Sequence, residues 1–284
     1  MSGAVFDRAW VRWSTYVAIA AAFAVACGFL SHWQFTRNAD RSAQLRLVAE
    51  NYDAAPVPLA DAVSPSGEFD PAMQWHPVAV RGVYLVDRQL VVRNRPHGGT
   101  SAFEVLTPLR LDDGRILVVD RGWIAPADSG DGPDPVPDPP AGPVDVVVRM
   151  LPGEALPASG RTAPAGQVPT IHLPLIAESA DPGTITTAYG RMVSEEPAAA
   201  IAPAPLDPPS EDPGPHLSYA VQWILFAVMG FVFIGYIIRT ERVHRREDAD
   251  QPGSASAPAR AGAPEHRRDR DAQDEDELLD RIGR

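Results

Sequence analysis

Two long apolar segments lie near the ends of the chain, on either side of a longer segment of mixed character. Residues 13–36 are 24 positions without a formal charge, and residues 217–238 are 22 more. At about 1.5 Å per residue, 22 helical residues cover about 33 Å, enough to cross the roughly 30 Å hydrocarbon core of a bilayer. We therefore predict two transmembrane helices, at 14–36 and 216–238.

Aromatic side chains flank both segments, as is typical of a membrane interface: Trp10, Trp13, Tyr16, Trp33, Tyr219, Trp223 and Tyr236. Two buried helices of a soluble protein are one alternative, but such helices are shorter and have a polar face. A cleaved signal peptide is another, because Ala24–Cys27 loosely imitates a lipoprotein cleavage box. Apolar residues continue through Leu30, well beyond the roughly 7–15 residues of a signal core, so we expect an uncleaved anchor.

The arginines next to the apolar segments predict the orientation of the chain. Arg8 and Arg12 precede the first segment, and four arginines between residues 239 and 246 follow the second. Positive residues stay on the cytoplasmic side, so residues 1–13 and 239–284 are predicted to be cytoplasmic and the protein to be a multi-pass component of the plasma membrane. Residues 37–215 then lie outside. Three arginines soon after the first segment weaken this signal, but long segments cross membranes largely regardless of charge.

The outer segment alternates apolar and polar positions and predicts a β domain over residues 37–196. Five strands are expected, at 76–85, 89–95, 103–111, 115–124 and 144–151. Asp113-Gly114 between the third and fourth predicts a tight hairpin. Short strands with tight turns favour an antiparallel, barrel-like sheet. The predicted fold is thus two transmembrane helices flanking an extracytoplasmic, antiparallel β domain.

Proline and charge mark the remaining segments. Residues 126–143 hold seven prolines and residues 197–215 hold seven more, so both are predicted to be extended linkers without packed structure. The end of the chain, 247–284, is rich in Pro, Ala and Gly and then strongly charged. Such a composition predicts a disordered cytoplasmic tail.

Composition excludes several classes of function. The 37 acidic residues exceed the 25 basic ones, all of which are arginine, and 13 arginines face 24 acids between residues 37 and 215. This balance argues against binding nucleic acid. Cys27 is the sole cysteine, which excludes an internal disulfide or a thiolate metal cluster and disfavours a copper carrier. No catalytic motif is recognisable, so we predict a protein that is not an enzyme.

Polar residues at the outer edges of the two apolar segments are the main candidates for chemistry. His32 and Gln34 end the first segment, and His216 begins the second. On a helix, His216 shares a face with an aromatic and small-residue set: Tyr219, Ala220, Trp223, Ala227 and Gly230. That face suits either a flat apolar ligand or another helix. The first segment has small residues at four-residue spacing, which permit close helix packing. Both histidines are also explained as ordinary interfacial anchors.

Three stretches, in this order, add a more specific signal: Leu30–Arg37 (LSHWQFTR), residues 81–124 ending in Asp120-Arg121-Gly122-Trp123-Ile124, and His216–Trp223 (HLSYAVQW). Together they resemble the surfeit locus protein 1 family, membrane proteins that assist the assembly of haem-copper cytochrome c oxidase. The resemblance covers roughly residues 14–240. The chain departs from the family pattern at Ser31, where Gly is usual, and at Asp120, where Asn is common; Gly214-Pro215 replace the Asn residues often found before the histidine.

The resemblance implies an assembly factor in the respiratory chain that promotes insertion of haem a into the catalytic oxidase subunit, or stabilises that subunit. It implies His216 as the haem-iron ligand. Tyr219 and Trp223, on the same helix face, are the expected contacts, and His32 is a second candidate ligand that the family motif does not require. The implied partners are the catalytic subunit, the haem a synthase and the lipid bilayer. A protein-only scaffold for oxidase subunits and a membrane-anchored envelope enzyme are the alternatives. Gly82 and the residues Arg121, Gly122 and Trp123 are expected to determine the fold, the Trp by filling the core.

Overall fold

The computed structural model describes residues 3–127 and 132–250, which form two long helices and a sheet domain between them in the chain. Helix α1 covers Gly3–Asn51 and helix α4 covers His216–Asp250. The chain divides into two units, residues 24–227 on the one hand and the beginning of α1 with the end of α4 on the other. The predicted disordered tail lies outside the described residues, except for its first four residues, which continue α4.

Both long helices are apolar enough to cross a membrane. Their most apolar stretches have mean hydropathies of 1.8 and 2.2, and large side chains there are open to solvent, with Phe29 73% and Val232 66% exposed. Exposed apolar side chains in such numbers are stable in lipid and not in water, so the two helices indicate a membrane protein. Helix α1 continues past the apolar stretch to Asn51, where Leu45 and Val48 maintain the helical pattern.

Eight strands form one sheet, and two short helices accompany it. The strands are β1 Val57–Pro58, β2 Pro77–Tyr84, β3 Leu90–His97, β4 Thr100–Leu111, β5 Ile116–Ile124, β6 Pro143–Pro152, β7 Gln167–Val168 and β8 Ala188–Glu196; the helices are α2 Leu59–Ala62 and α3 Leu173–Ser179. The five strands predicted from the alternation of apolar residues correspond to β2–β6, with ends that agree to within three residues.

The strand order is β1-β2-β6-β8-β5-β4-β3-β7, and β2 also pairs with the end of β4. Strands β2, β6, β8, β5 and β4 therefore form a closed circuit, which agrees with the barrel-like arrangement predicted. The expectation of a purely antiparallel sheet is wrong, because β5–β8, β1–β2 and β3–β7 are parallel pairs. These pairs join strands distant in sequence, and hairpin signals do not report such pairing.

Strand β8 is absent from the strands predicted by alternation, because AYGRMVSEE has no regular succession of apolar and polar residues. Its neighbours hold it in place: β6 pairs along its whole length and β5 pairs on the other side. At Gly190 an added Cβ would lie 2.6 Å from a methyl of Val148, so only glycine permits this close approach of β8 to β6.

Strands β4 and β5 are buried on both faces, whereas β2 and β6 are more open at alternate residues, and β5 shows the two faces most clearly. Leu117 and Val119 belong to the core that includes α2, whereas Val118 belongs to the core that includes α3. Because side chains alternate along a strand, the next two residues continue the two faces: Asp120 follows Val118, and Arg121 follows Val119. Two consecutive charged residues are thus carried into the interior on opposite sides of one strand.

The proline-rich segments are packed on the domain, so the prediction of linkers without packed structure is wrong for the parts described. In the first, Val136 packs on a small core cluster and the Pro137 carbonyl accepts a hydrogen bond from Arg121. In the second, Ala204 exchanges backbone hydrogen bonds of 2.8 and 2.9 Å with Trp123. Proline excludes regular strand pairing but leaves carbonyls and apolar rings free to make such contacts.

In the other unit, the beginning of α1 and the end of α4 are in contact. Gly230 lies against Phe23, and an added Cβ there would be 3.3 Å from the ring. Further along α4, Glu241 accepts hydrogen bonds from Arg12 and from the Trp13 indole. The hydrogen bond from Trp13, together with the charge of Arg12, lowers the pKa of Glu241 below its usual range.

Candidate functional site

Within residues 24–227, α1 and the start of α4 pack through residues spaced three and four apart. Ser31 is buried and donates a 2.9 Å hydrogen bond from its Oγ to the carbonyl of Ala220, which is itself completely buried. One turn further along α1, Gln34 faces His216 at the first position of α4. Small residues at this seam allow the helices to approach closely enough for side chain to backbone contact.

The contact with Gln34 fixes the state of the His216 ring. His216 Nδ1 lies 3.0 Å from Gln34 Oε1, and because an amide oxygen only accepts, Nδ1 carries the proton and donates it. In a neutral imidazole the other nitrogen, Nε2, then has a free lone pair. A histidine that ligates a metal is generally oriented by such a hydrogen bond from its second nitrogen. The hydrogen bond to Gln34 therefore leaves Nε2 as the nitrogen of His216 that can accept a further partner.

Gly214 lies beside the Nε2 edge of the ring. This residue has a φ of +72°, and a Cβ added to it would lie 3.6 Å from His216 Nε2. Its N–H donates a 2.8 Å hydrogen bond to the side chain of Asp212, which fixes the turn before α4. The glycine thus serves a turn that L side chains rarely adopt and places no side chain against the Nε2 edge.

Arg41 of α1 holds the segment that leads into His216. Its guanidinium donates to the Ser210 carbonyl at 2.7 Å and to the Asp212 carbonyl at 2.8 and 3.0 Å. Three hydrogen bonds from one planar group define the path of residues 210–212 relative to α1. Gln34 and Arg41 lie two turns apart on one face of α1, so this helix positions both the histidine and the chain before it.

The other predicted site residues occupy different surroundings. Trp223 is half-buried and contacts the ring of Phe226 in the same helix edge-on at 5.8 Å. Tyr219 is 47% exposed. His32 is exposed, and Gln34 rather than His32 is the residue of α1 that His216 meets. Of the two uses predicted for the face that begins at His216, packing against another helix is the one seen at Ala220.

The Asp120-Arg121-Gly122-Trp123 stretch forms a bulge in β5, since the pairing with β4 shifts there by one residue. Gly122 has a φ of +129°, and a Cβ added to it would lie 2.3 Å from the Ala204 carbonyl oxygen. This agrees with the expected role of the glycine. Trp123 does not fill the core as expected: it is half-buried, stacks on His97 with ring centroids 5.2 Å apart, and donates to the Pro205 carbonyl.

Arg121 is buried and neutralised inside the barrel. Its guanidinium lies 3.3 Å from Glu195, donates to the Pro137 carbonyl at 3.0 Å and covers the Tyr84 ring. The Tyr84 hydroxyl donates to the same carboxylate, and burial holds the pKa of Tyr84 above its usual range. This ion pair ties β5 to β8 and to the proline-rich segment, so Arg121 stabilises the fold.

Asp120 lies in a second buried group of charges, on the other face of β5. Burial and the neighbouring carboxylate of Glu104 hold the pKa of Asp120 well above its usual range. Arg95 contacts both Glu104 and Glu154. Although burial acts to raise it, hydrogen bonds from Arg95 and Thr170 hold the pKa of Glu154 below its usual range. Within this group Glu104 and Glu154 are paired with Arg95, whereas Asp120 has no cation in direct contact among the described residues.

Sequence reasoning identifies Gln34 as a polar residue at a membrane edge but does not pair it with His216, and it does not single out Arg41 or Gly214. The sequence nevertheless contains a signal for each of these residues. Gln34 and Arg41 are seven residues apart and so share one face of a helix, and Gly214 lies two residues before the histidine. Among the described residues no three His, Cys, Asp or Glu side chains come together as a metal-binding group. Any iron bound at this site would depend on one imidazole.

Comparison with known proteins identifies relatives over nearly the whole chain. The model of the SURF1 family matches residues 21–228. Uncharacterised SURF1-like proteins of Mycobacterium bovis and of two strains of Mycobacterium tuberculosis are 31% identical over 247 residues, which is 84% of this chain and 89% of each relative. The matched region includes the seam between α1 and α4, the barrel and His216.

Proposed function

The chain belongs to the SURF1 family, and we propose that it is a membrane-anchored assembly factor that handles haem a for haem-copper cytochrome c oxidase. The family is generally linked to cytochrome oxidase assembly. The observation on which the haem proposal depends is the hydrogen bond between His216 and Gln34, which orients the ring and leaves Nε2 able to bind iron. In this proposal haem a is cargo, which the chain passes on to the oxidase.

The residues around His216 fit this cargo. Gln34 holds the ring, and Gly214 places no side chain against the Nε2 edge. Tyr219, one turn along α4 and half exposed, offers an aromatic surface on the lipid-accessible side of the helix. When bound, haem a supplies the iron centre that the oxidase uses for electron transfer. The chain's own residues bind and orient it and shield it from water, so we propose a function without catalysis.

We further propose the arrangement in the membrane that this function needs. Both helices cross the plasma membrane, both termini are cytoplasmic and the barrel is outside, which places His216 at the outer boundary of the bilayer. The catalytic oxidase subunit is the proposed recipient, and the haem a synthase is a proposed donor. The apolar lengths of the helices and the arginines that follow the apolar stretch of α4 support this arrangement.

The test is to purify the full chain from cells that make haem a and to measure bound haem by its absorbance. We expect His216→Ala to bind at least about tenfold less haem per chain than the wild type, because the sole proposed iron ligand is removed. His32→Ala is the matched control, since it removes an exposed histidine from the same boundary, and it should retain haem. Gln34→Leu should retain less haem than the wild type, because the ring loses its orientation.

Two results would contradict the proposal. The first is an unchanged haem spectrum in His216→Ala. The second is a normal haem a content per oxidase in a strain that lacks this chain. In that case a scaffold for oxidase subunits and an envelope enzyme would be the remaining functions. A scaffold predicts instead that the chain purifies together with oxidase subunits even from cells that make no haem a.

A further inference from the structure

Two adjoining cavities lie in the sheet domain, between the bulged strand β3 and the loop that precedes α3. The smaller, about 220 Å³, is lined by Arg93, Asn94, Arg161, Thr162 and Pro169. The larger, about 500 Å³, shares three of these residues, among them Arg161, and its other walls are mainly apolar. A polar cavity with two arginines thus opens beside an apolar one of the size that commonly holds a small organic ligand.

The two arginines are exceptional within this acidic domain. Of the 13 arginines between residues 37 and 215, all except Arg93 and Arg161 have a carboxylate, a carbonyl or an aromatic ring as partner among the described residues. With 24 acids available in the same segment, these two would be expected to have found partners as well. An arginine fork that faces a cavity in this way is suited to a carboxylate or a phosphate.

A second, independent observation concerns unsatisfied buried atoms. Three buried side-chain polar atoms have no hydrogen-bond partner in the part of the chain that the structure describes: Arg93 Nε, Arg121 Nε and Gln167 Oε1. Arg93 lines the polar cavity, and Gln167 lines the apolar one. Buried polar atoms are nearly always paired in folded proteins, so the unpaired donor Arg93 Nε at the wall of the polar cavity indicates a missing acceptor.

We propose that these cavities form a binding site for one amphipathic anion. Its carboxylate or phosphate lies between Arg93 and Arg161, and its apolar part lies in the larger cavity beside Leu156, Ala163 and Leu175. A small rotation of Arg93 would direct its buried Nε–H, a donor, to the anionic group of the ligand. This site is separate from the seam that holds His216, and it does not depend on haem binding.

The test uses the full chain in nanodiscs of zwitterionic lipid, with terminally trifluorinated octanoate as the probe and fluorine NMR as the readout. Empty nanodiscs give the blank, and trifluorinated octanol is the neutral probe of equal length. We expect saturable binding of the octanoate. The double variant Arg93→Gln, Arg161→Gln should weaken it by about tenfold or more, because charge-assisted hydrogen bonds are lost, and should leave octanol binding unchanged. Competition by octyl phosphate against octanoate distinguishes a phosphate from a carboxylate as the preferred head group.

Two further variants make the result specific. Arg46→Gln, Arg81→Gln removes the same charge from exposed positions elsewhere and should bind octanoate as the wild type does. Ala163→Trp fills the apolar cavity and should reduce the binding of both probes. Thermal unfolding of each variant, compared with the wild type, shows that the domain remains folded. Absence of saturable octanoate and octyl phosphate binding, or equal octanoate affinity in the wild type and the Arg93→Gln, Arg161→Gln variant, would overturn the proposal.

Discussion

At the scale of residues, this protein uses neighbouring charged groups for different purposes. Arg121 and Asp120 follow one another in β5, yet Arg121 is neutralised by Glu195 whereas Asp120 meets another carboxylate, that of Glu104. A buried charge without a direct partner is costly, and a carboxyl in that position holds its proton instead. We therefore expect Asp120 to make the free energy of unfolding depend on pH.

The prediction concerns Asp120→Asn. Because the folded-state pKa of Asp120 is raised, the folded protein holds a proton that the unfolded chain releases between the ordinary pKa, near 4, and the raised pKa. The free energy of unfolding contributed by this group thus falls as the pH rises through that window. Asparagine keeps an acceptor for the Gly122 N–H and does not titrate. Measured by tryptophan fluorescence, the Tm of the variant should exceed that of the wild type by a few degrees at pH about 7 and approach it near pH 4.

Asp113→Asn is the control, because its effect on the free energy of unfolding at neutral pH should be opposite to that of Asp120→Asn. A hydrogen bond from Arg115 lowers the pKa of Asp113, so its contribution to the free energy of unfolding is present above the ordinary pKa and is lost as the pH falls. That variant should be slightly less stable than the wild type at neutral pH. A Tm difference between Asp120→Asn and the wild type that is the same at every pH would contradict the prediction.

At the scale of elements, close approach between backbones decides where helices and strands meet. In α1 the small residues at four-residue spacing form two predicted ridges. Ala18, Ala22 and Ala26 of the first ridge are exposed. In the second ridge Ala20 is buried, Ala24 is half-buried and Gly28 is exposed, and Cys27 and Ser31 are buried as well. In the sheet, Gly122 lets residue 204 pair with Trp123, and Gly82 lies where a Cβ would be 2.3 Å from the Arg110 carbonyl oxygen. Small size, rather than helix or strand propensity, explains these residues.

The prediction at this scale is that Gly122→Ala destabilises the barrel by about 3 kcal/mol. Strain at positive φ contributes roughly 1–2 kcal/mol, and disturbance of the two hydrogen bonds with Ala204 contributes about 1 kcal/mol each. The measurement is thermal unfolding of the full chain, where about 2–4 °C in Tm corresponds to 1 kcal/mol. Gly114→Ala is the control: it has a φ of +86° but nothing within 4 Å of an added Cβ. An equal decrease in Tm in the two variants would contradict the prediction, because it would show that the contact with Ala204 does not contribute to stability.

At the scale of the whole molecule, the proposed function depends on which side of the membrane the barrel occupies. The segment between the helices carries most of the net negative charge, and four arginines between residues 239 and 246 follow the apolar stretch of α4. The positive-inside rule then favours an outer barrel and cytoplasmic ends. That placement would bring His216 to the outer boundary of the bilayer.

The orientation can be tested by cysteine labelling, because Cys27 is the sole cysteine and is buried. In a Cys27→Ser background, Glu68→Cys in the sheet domain and Glu247→Cys beyond the apolar stretch of α4 provide exposed reporters. A membrane-impermeant maleimide should label the first in intact cells and the second only after the membrane is opened. The reverse pattern would contradict the orientation and the placement of His216.

Much of this protein could be predicted from local sequence. Strands β2–β6 follow from alternation, because one or both faces of each strand are buried at every second residue. The apolar helices follow from length and hydropathy, and the family follows from three short stretches that include His216–Trp223. His216 itself stands out by its position at the end of an apolar segment.

The sequence by itself therefore determined the helices, five strands, the family and the candidate histidine, because each depends on residues that are close together in the chain. Only the tertiary structure decided that Gln34 orients His216, since the two are 182 positions apart. It also decided the parallel pairing of β8, the separate surroundings of Asp120 and Arg121, and the meeting of Arg93 and Arg161 at one cavity. These features depend on what a side chain meets after folding, and burial, charge and close packing at such contacts have no local signature.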